Sequence, residues 1–173
     1  GLGGYIEGDT TLKVGTQGWA YGGTKPSTLD YKPNIVDRFT GNGTRNGKGR
    51  GYPTTWDLVG GGGEEIDHGS IYIKGNTRLE HHQSIARWTY GGSFGGTIEG
   101  NTDNVLYGGI VDTLEGAGYI GYLVKGGTSH AQVYGGQVDW FLSGGGWGDK
   151  RINGDTKVTI YDGVINAHVG GTY

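Results

Sequence analysis

Histidines, clustered carboxylates and aromatic side chains are the groups in this chain from which chemistry could be built. The five histidines are His68, His81, His82, His130 and His168, and only one pair is adjacent. Neighbouring side chains on a strand point to opposite faces, so His81 and His82 do not readily share a metal ion. The plain reading of all five is exposed or corner histidine. Glu64, Glu65 and Asp67 form one carboxylate cluster, and Asp112 with Glu115 forms another. Glycoside hydrolysis uses carboxylates in pairs, but the plain reading of both clusters is solvated loop charge. A calcium-binding nonapeptide would read G-G-x-G-x-D-x-apolar-x. Gly145-Gly146-Trp147-Gly148-Asp149-Lys150-Arg151-Ile152 comes nearest. Its Asp stands one place early and the word is not repeated in tandem. No zinc-protease, phosphate-loop, dinucleotide or serine-hydrolase motif occurs. The chain is therefore read as a non-enzyme with no catalytic residue, cofactor or metal.

Two further side-chain types need a reading. The tryptophans Trp19, Trp56, Trp88, Trp140 and Trp147 could stack on sugar rings if they lay exposed in a row, or fill an interior if buried. Trp19 and Trp88 each stand two places before a Tyr-Gly-Gly word, which favours a structural role. Asn42-Gly43-Thr44 is an N-glycosylation acceptor pattern, with Asn42 the residue modified in a chain secreted by a glycosylating cell.

The stronger signal is repetition. Ile6-Glu7-Gly8-Asp9-Thr10 returns as Ile73-Lys74-Gly75-Asn76-Thr77, as Ile98-Glu99-Gly100-Asn101-Thr102 and as Ile152-Asn153-Gly154-Asp155-Thr156. A second word reads Tyr21-Gly22-Gly23, Tyr90-Gly91-Gly92, Tyr107-Gly108-Gly109 and Tyr134-Gly135-Gly136, with Val169-Gly170-Gly171 as a variant. The spacing is uneven: the interval from the third Ile word to the fourth is close to twice that from the second to the third. Residues 102–112 align column by column with residues 156–166. Repeat arrays are more often scaffolds or binding surfaces than catalytic pockets.

These words imply the elements that carry them. Of the 173 residues, 41 are Gly and only 3 are Pro, yet the glycines alternate with Val, Ile, Leu, Thr, Tyr and Trp, which form strands. Many short strands joined by tight turns fit this better than a flexible linker, with Gly supplying positive φ at the corners. No apolar pattern with the helical period is present, so almost no helix is expected. The expected fold is all-β, a β-solenoid or β-arch stack in one domain over residues 1–173. A long inserted loop is expected at about 25–66, outside the repeat core. That stretch holds all the prolines and the basic residues Arg45, Lys48 and Arg50, and Gly60 to Gly63 would form its trailing hinge. The repeat corners are Gly8, Asp9, Gly75, Asn76, Gly100, Asn101, Gly154 and Asp155. Their Asx side chains suit turns and could form a ladder on successive coils.

Composition narrows the partners. A net charge of −3 gives no general attraction to nucleic acid or anionic membrane. No apolar run is long enough to span a bilayer as a helix. With no Cys, disulfides and thiolate metal sites are excluded. The lack of Met fits a processed form or a window of a longer chain. Interrupted Thr columns, broken by Arg78, Asp103 and Lys157, do not make the regular array of an ice-binding face.

The stretch from Val133-Tyr134-Gly135-Gly136 through Gly154-Asp155-Thr156-Lys157-Val158-Thr159-Ile160 to Gly163 resembles the glycine-rich repeats of adhesin-like surface proteins in bacteria and archaea. The resemblance implies an extracellular or cell-surface β-solenoid without catalysis. The expected function is a self-assembling structural protein, a filament, sheath or surface-layer subunit, polymerising through its strand edges. Its partner would be further copies of itself. Tyr5 and Val169 are the expected assembly contacts, because neither end of the repeat shows a polar cap. A carbohydrate-binding adhesin module with a surface glycan as partner is the alternative. A polysaccharide-active enzyme on a β-helix is a second.

Overall fold

The computed structural model describes residues 4–14, 54–61, 71–82, 84–119, 122–124, 127–147 and 151–171. The chain forms an all-β, parallel β-solenoid of about three turns, with no helix among the described residues. The regular turns begin at Ile71, Gly96 and Tyr122, and a less regular turn flanks them on either side. In the first turn the strands are β1 (Gly4–Ile6), β2 (Thr10–Val14) and β3 (Thr54–Val59). The next turns hold β4 (Ile71–Ile73), β5 (Thr77–His81) and β6 (Ser84–Tyr90), then β7 (Gly96–Ile98), β8 (Thr102–Leu106) and β9 (Gly109–Glu115). They are followed by β10 (Tyr122–Val124), β11 (Ser129–Val133) and β12 (Gln137–Ser143). The last turn holds β13 (Arg151–Ile152), β14 (Thr156–Ile160), β15 (Val164–Ile165) and β16 (His168–Gly170).

Each turn gives one strand to each of three parallel sheets. The first sheet runs β1-β4-β7-β10-β13, the second β2-β5-β8-β11-β14, and the third β3-β6-β9-β12-β15, with β16 also beside β12. Parallel pairing suits a solenoid because every strand is reached again only after a full turn. The second sheet is the most regular. Thr10, Thr77, Thr102, Ser129 and Thr156 share one column, and Leu12, Leu79, Asn104, Ala131 and Val158 share the inward column two residues on. This alternation is what the apolar residues at every second place dictate.

Two clusters form the core. Ala86, Leu106, Val111, Leu114, Ala131, Val133, Val138 and Leu142 fill the space between the second and third sheets. Ile71, Ile73, Ile98 and Ala117 fill the end under the first sheet. Each such Ile, Leu or Val contributes about 1.5–3 kcal/mol by leaving water.

Part of the stretch 25–66, expected to lie outside the repeat core, belongs to the core instead. Thr54–Val59 is strand β3, paired with β6 in the third sheet. The run Thr54-Thr55-Trp56-Asp57-Leu58-Val59 is rich in strand formers. Gly60 and Gly61 are no hinge either. Both are buried, and their amides donate to Tyr90 and Gly92 carbonyls at 2.9 and 2.6 Å, which continues the ladder. Asn42, Arg45, Lys48 and Arg50 lie outside the described residues.

Candidate functional site

The corner between the first and second sheets carries a ladder of short polar side chains. Asp9 Oδ1 accepts the Asn76 amide N–H at 2.7 Å and its side-chain N–H at 3.1 Å. Asn76 Oδ1 accepts the Asn101 N–H at 2.8 Å, and Asn101 Oδ1 accepts the Thr128 N–H at 2.8 Å. Each side chain thus caps the backbone of the next turn rather than its own. Gly154 and Asp155 hold the same corner in the last turn, where the Asp155 carbonyl accepts the Ser129 N–H at 2.8 Å.

Glycine is needed here for a reason other than the expected one. Gly8, Gly75, Gly100 and Gly154 are absent from the glycines with positive φ, which among the described residues are Gly4, Gly95, Gly96, Gly109, Gly136 and Gly163. The requirement is close approach between turns. A Cβ on Gly75 would lie 2.5 Å from the Gly8 carbonyl, and one on Gly100 2.5 Å from the Gly75 carbonyl oxygen. Gly8 heads the column and has nothing within 4 Å.

One copy of the word escapes sequence reading. Gly127-Thr128-Ser129 holds the corner of the fourth turn, since Ser129 pairs with Thr102 and Thr156. It carries Thr for Asx and Ser for Thr. One extra residue also separates it from Val124, which pairs with Ile98 and Ile152. The uneven spacing therefore hides one intervening turn. The Tyr-Gly-Gly word, in contrast, proves to be two different places. Tyr107 and Tyr134 stand at the corner between the second and third sheets, whereas Tyr90 ends β6 and Val169 lies in β16. Trp19 and Tyr21 lie outside the described residues.

At that second corner four rings stack along the solenoid axis. His82 and Tyr107 are 4.9 Å apart between centroids, Tyr107 and Tyr134 5.2 Å, and Tyr134 and Tyr161 4.4 Å. The rings face one another, so edges and hydroxyls point outward. A row built to bind sugars must offer ring faces, and in this row the faces between neighbouring rings are covered. On the first sheet Tyr5 stacks on Tyr72 at 5.5 Å, and the Tyr72 hydroxyl donates to Glu99.

The outer face of the second sheet is a closed polar network. Glu80 accepts from Arg78 at 2.7 Å and pairs with Lys13 at 3.2 Å and His82 at 3.1 Å. Burial pushes its carboxyl up, but the hydrogen bonds from Arg78, His82 and Lys13 outweigh burial and hold it down at about 2. Asp103 pairs with Arg78 at 3.3 Å and accepts from Gln132 at 3.1 Å, with His130 Nδ1 3.7 Å away. His130 Nε2 lies 2.8 Å from the Thr159 hydroxyl.

Inside, the histidine pair divides as strand geometry requires, but not onto solvent. His81 is fully buried, with Nε2 3.1 Å from Asn104 Oδ1. Asn104 in turn donates to the Thr89 carbonyl at 2.9 Å and to that of Glu115 at 3.0 Å. Asp112 and Glu115, read from sequence as solvated, are each 1% exposed. They belong to β9, the middle strand of the third sheet, a place that Asp and Glu do not signal because they ordinarily mark surface.

Glu64, Glu65, Asp67, His68 and Asp149 lie outside the described residues, and among the described residues no group of three or more His, Asp or Glu is placed to hold a metal. Trp140 and Trp147 are half-buried and lie against each other at 5.4 Å, and Arg87 lies 4.4 Å over the Trp88 ring. No helix among the described residues is long and apolar enough to cross a membrane. Among the described residues the last turn is open, with Ile160, Val164 and Val169 exposed at 45%, 52% and 54%, and Tyr5 at the other end is 59% exposed. No family model, no curated protein and no solved structure matches the chain.

Proposed function

We propose that this protein is an extracellular, self-assembling structural subunit, the unit of a filament, sheath or surface layer, which polymerises through the strand edges of its end turns. The observation that carries this is the matched columns at the two ends. Thr156, Val158 and Ile160 of the last turn stand in the same columns as Thr10, Leu12 and Val14 of the first. Ile152 and Ile6 share a column of the first sheet in the same way. A second copy set head to tail would continue the columns of the first and second sheets without a change of register, covering Ile160. Such a contact is heterologous and does not close on itself, so it yields a polymer rather than a dimer. Main-chain pairing between parallel edges is the same device as β-augmentation. The surface location rests on the likeness of the glycine-rich words to adhesin-like repeats.

The test is sedimentation of the purified full chain over rising concentration, followed by negative-stain microscopy. Concentration-dependent growth into linear particles one solenoid wide is expected. A chain that stays monomeric throughout overturns the proposal.

A further inference from the structure

The tyrosine corner has a chemistry that stacking alone does not use. Tyr107, Tyr134 and Tyr161 are 39%, 42% and 61% exposed. Their ring planes lie within 22° and 16° of parallel, at the centroid distances of 5.2 and 4.4 Å given above. The in-register ladder of β8, β11 and β14 fixes the backbone beneath them. Phenols lose one electron and one proton more readily than other side chains here, in a protein without Cys or Met.

We propose that this corner is a site of oxidative tyrosine cross-linking, in which Tyr107–Tyr134 and Tyr134–Tyr161 are the reacting pairs. The co-reactant is a one-electron oxidant, of the class of a haem peroxidase working with hydrogen peroxide. Each of two neighbouring phenols gives up one electron and its hydroxyl proton and becomes a phenoxyl radical. The radicals couple through the ring carbons beside each oxygen, forming one C–C bond. Each ring then loses the hydrogen from that carbon as a proton and regains a proton on oxygen, which restores aromaticity. Two hydrogen atoms leave per link, and one hydrogen peroxide is reduced to two waters.

The geometry favours these pairs in two ways. The turns hold the two rings in contact, so coupling is a unimolecular event rather than an encounter in solution. The rings must swing from face-to-face to edge-to-edge, and their exposure leaves room for that. The Tyr134 hydroxyl donates to Gln132 Oε1 at 3.3 Å and also has a hydrogen-bond contact with Tyr161, and Tyr107 Oη accepts from Arg78 at 3.4 Å; the contacts to Gln132 and Arg78 are long ones that a ring rotation breaks easily. Tyr90 and Tyr119 are also near neighbours, at 5.9 Å, but Tyr90 is only 1% exposed and has no such freedom. The product would be a covalent staple across adjacent turns along one edge of the solenoid. It depends on neither self-assembly nor location.

The test treats the dilute full chain with haem peroxidase and hydrogen peroxide and maps linked peptides by mass spectrometry. The urea-unfolded chain is treated in parallel. Links Tyr107–Tyr134 and Tyr134–Tyr161 in monomer-sized product are expected to dominate in the folded chain and to lose that dominance in urea. Tyr134→Phe keeps a stacked ring and removes the phenol, so both links should vanish while circular dichroism is unchanged. Equal link patterns in folded and unfolded chains, or no link within the ladder, would overturn the proposal.

Discussion

His81 and Asn104 occupy neighbouring turns of the second sheet and meet inside the core, Nε2 to Oδ1 at 3.1 Å, with neither side chain exposed. The columns to which they belong are otherwise apolar. Val14, Leu106, Val133 and Ile160 flank the histidine along one, and Leu12, Leu79, Ala131 and Val158 flank the asparagine along the other. A buried polar pair survives there because each group is bonded: Asn104 donates to carbonyls of Thr89 and Glu115 while accepting from the ring.

This pair makes the fold sensitive to acid. Burial, with the nearby His82 adding to it and the Asn104 bond opposing it, lowers His81 to about 4 from an ordinary 6.5. The unfolded chain therefore binds a proton first as pH falls. Stability is fully present above pH 6.5 and is lost as pH drops through 4, by about 3 kcal/mol from this residue at one pKa unit per 1.36 kcal/mol. Burial also lowers His130, which adds loss of the same sign. Urea unfolding between pH 4 and 7 should show this slope. His81→Leu should flatten it, although that variant starts about 1–3 kcal/mol weaker because Asn104 loses its partner.

Glycines of one word should respond differently to the same change. Gly100→Ala drives a Cβ to 2.5 Å from the Gly75 carbonyl oxygen, a backbone atom held by the ladder. The expected loss is about 2–4 kcal/mol, the range of overpacked and strained sites. Gly8→Ala meets nothing within 4 Å and is expected to be neutral or to stabilise by about 0.5 kcal/mol through the unfolded state. Denaturation midpoints of the two variants decide the matter. Equal effects would mean that stacking between turns is not what glycine serves.

The Asx ladder should be worth measurable stability although it is exposed. Asn101→Ala leaves the Thr128 N–H without its acceptor, and Asn76→Ala removes one side-chain bond on either side while its main-chain N–H still reaches Asp9. Losses of about 1 and about 2 kcal/mol are expected, given a net 0.5–1.5 kcal/mol per bond. Asn101→Asp retains the acceptor and should lose less than Asn101→Ala. Thermal unfolding of the three variants is the measurement.

Much of this was legible in the chain, for a physical reason. Strand alternation and a recurring corner word report the period of a solenoid directly, so the all-β stack follows from Ile-x-Gly-Asx-Thr and its neighbours. What was hidden has an equally physical cause. Gly127-Thr128-Ser129 keeps the geometry of the word while changing every polar residue in it, because a corner requires a small residue and a backbone acceptor rather than Asx itself. His81, Asp112 and Glu115 read as surface because their chemistry says so. Only the register, which sets them on β5 and β9 beneath other strands, says otherwise. Tyr-Gly-Gly misled in the opposite direction: Gly-rich corners recur at two places in each turn, and three residues cannot tell them apart.

The final prediction concerns the end edges. In a strand, the N–H and C=O of one residue point to the same side, and those of the next residue to the other. The Ile6 carbonyl accepts from Lys74 at 2.9 Å, so Ile6 faces β4 and the main-chain groups of Tyr5 face the open side of β1. The Gly170 carbonyl accepts from Gly144 at 3.3 Å, so Gly170 faces β12 and those of Val169 face outward from β16. Proline at either place removes a donor that points away from the paired strand and finds no acceptor among the described residues, at an edge where proline is tolerated. Tyr5→Pro and Val169→Pro should therefore leave circular dichroism and the thermal midpoint close to those of the parent, while the sedimenting polymer falls to monomer or short oligomers. Salt should change the parent polymer little, because the joint is made of uncharged main-chain bonds and apolar columns. Polymer that forms unchanged in both variants would show that growth does not run through these edges. Loss of the folded signal in either would show that its backbone serves the turn itself.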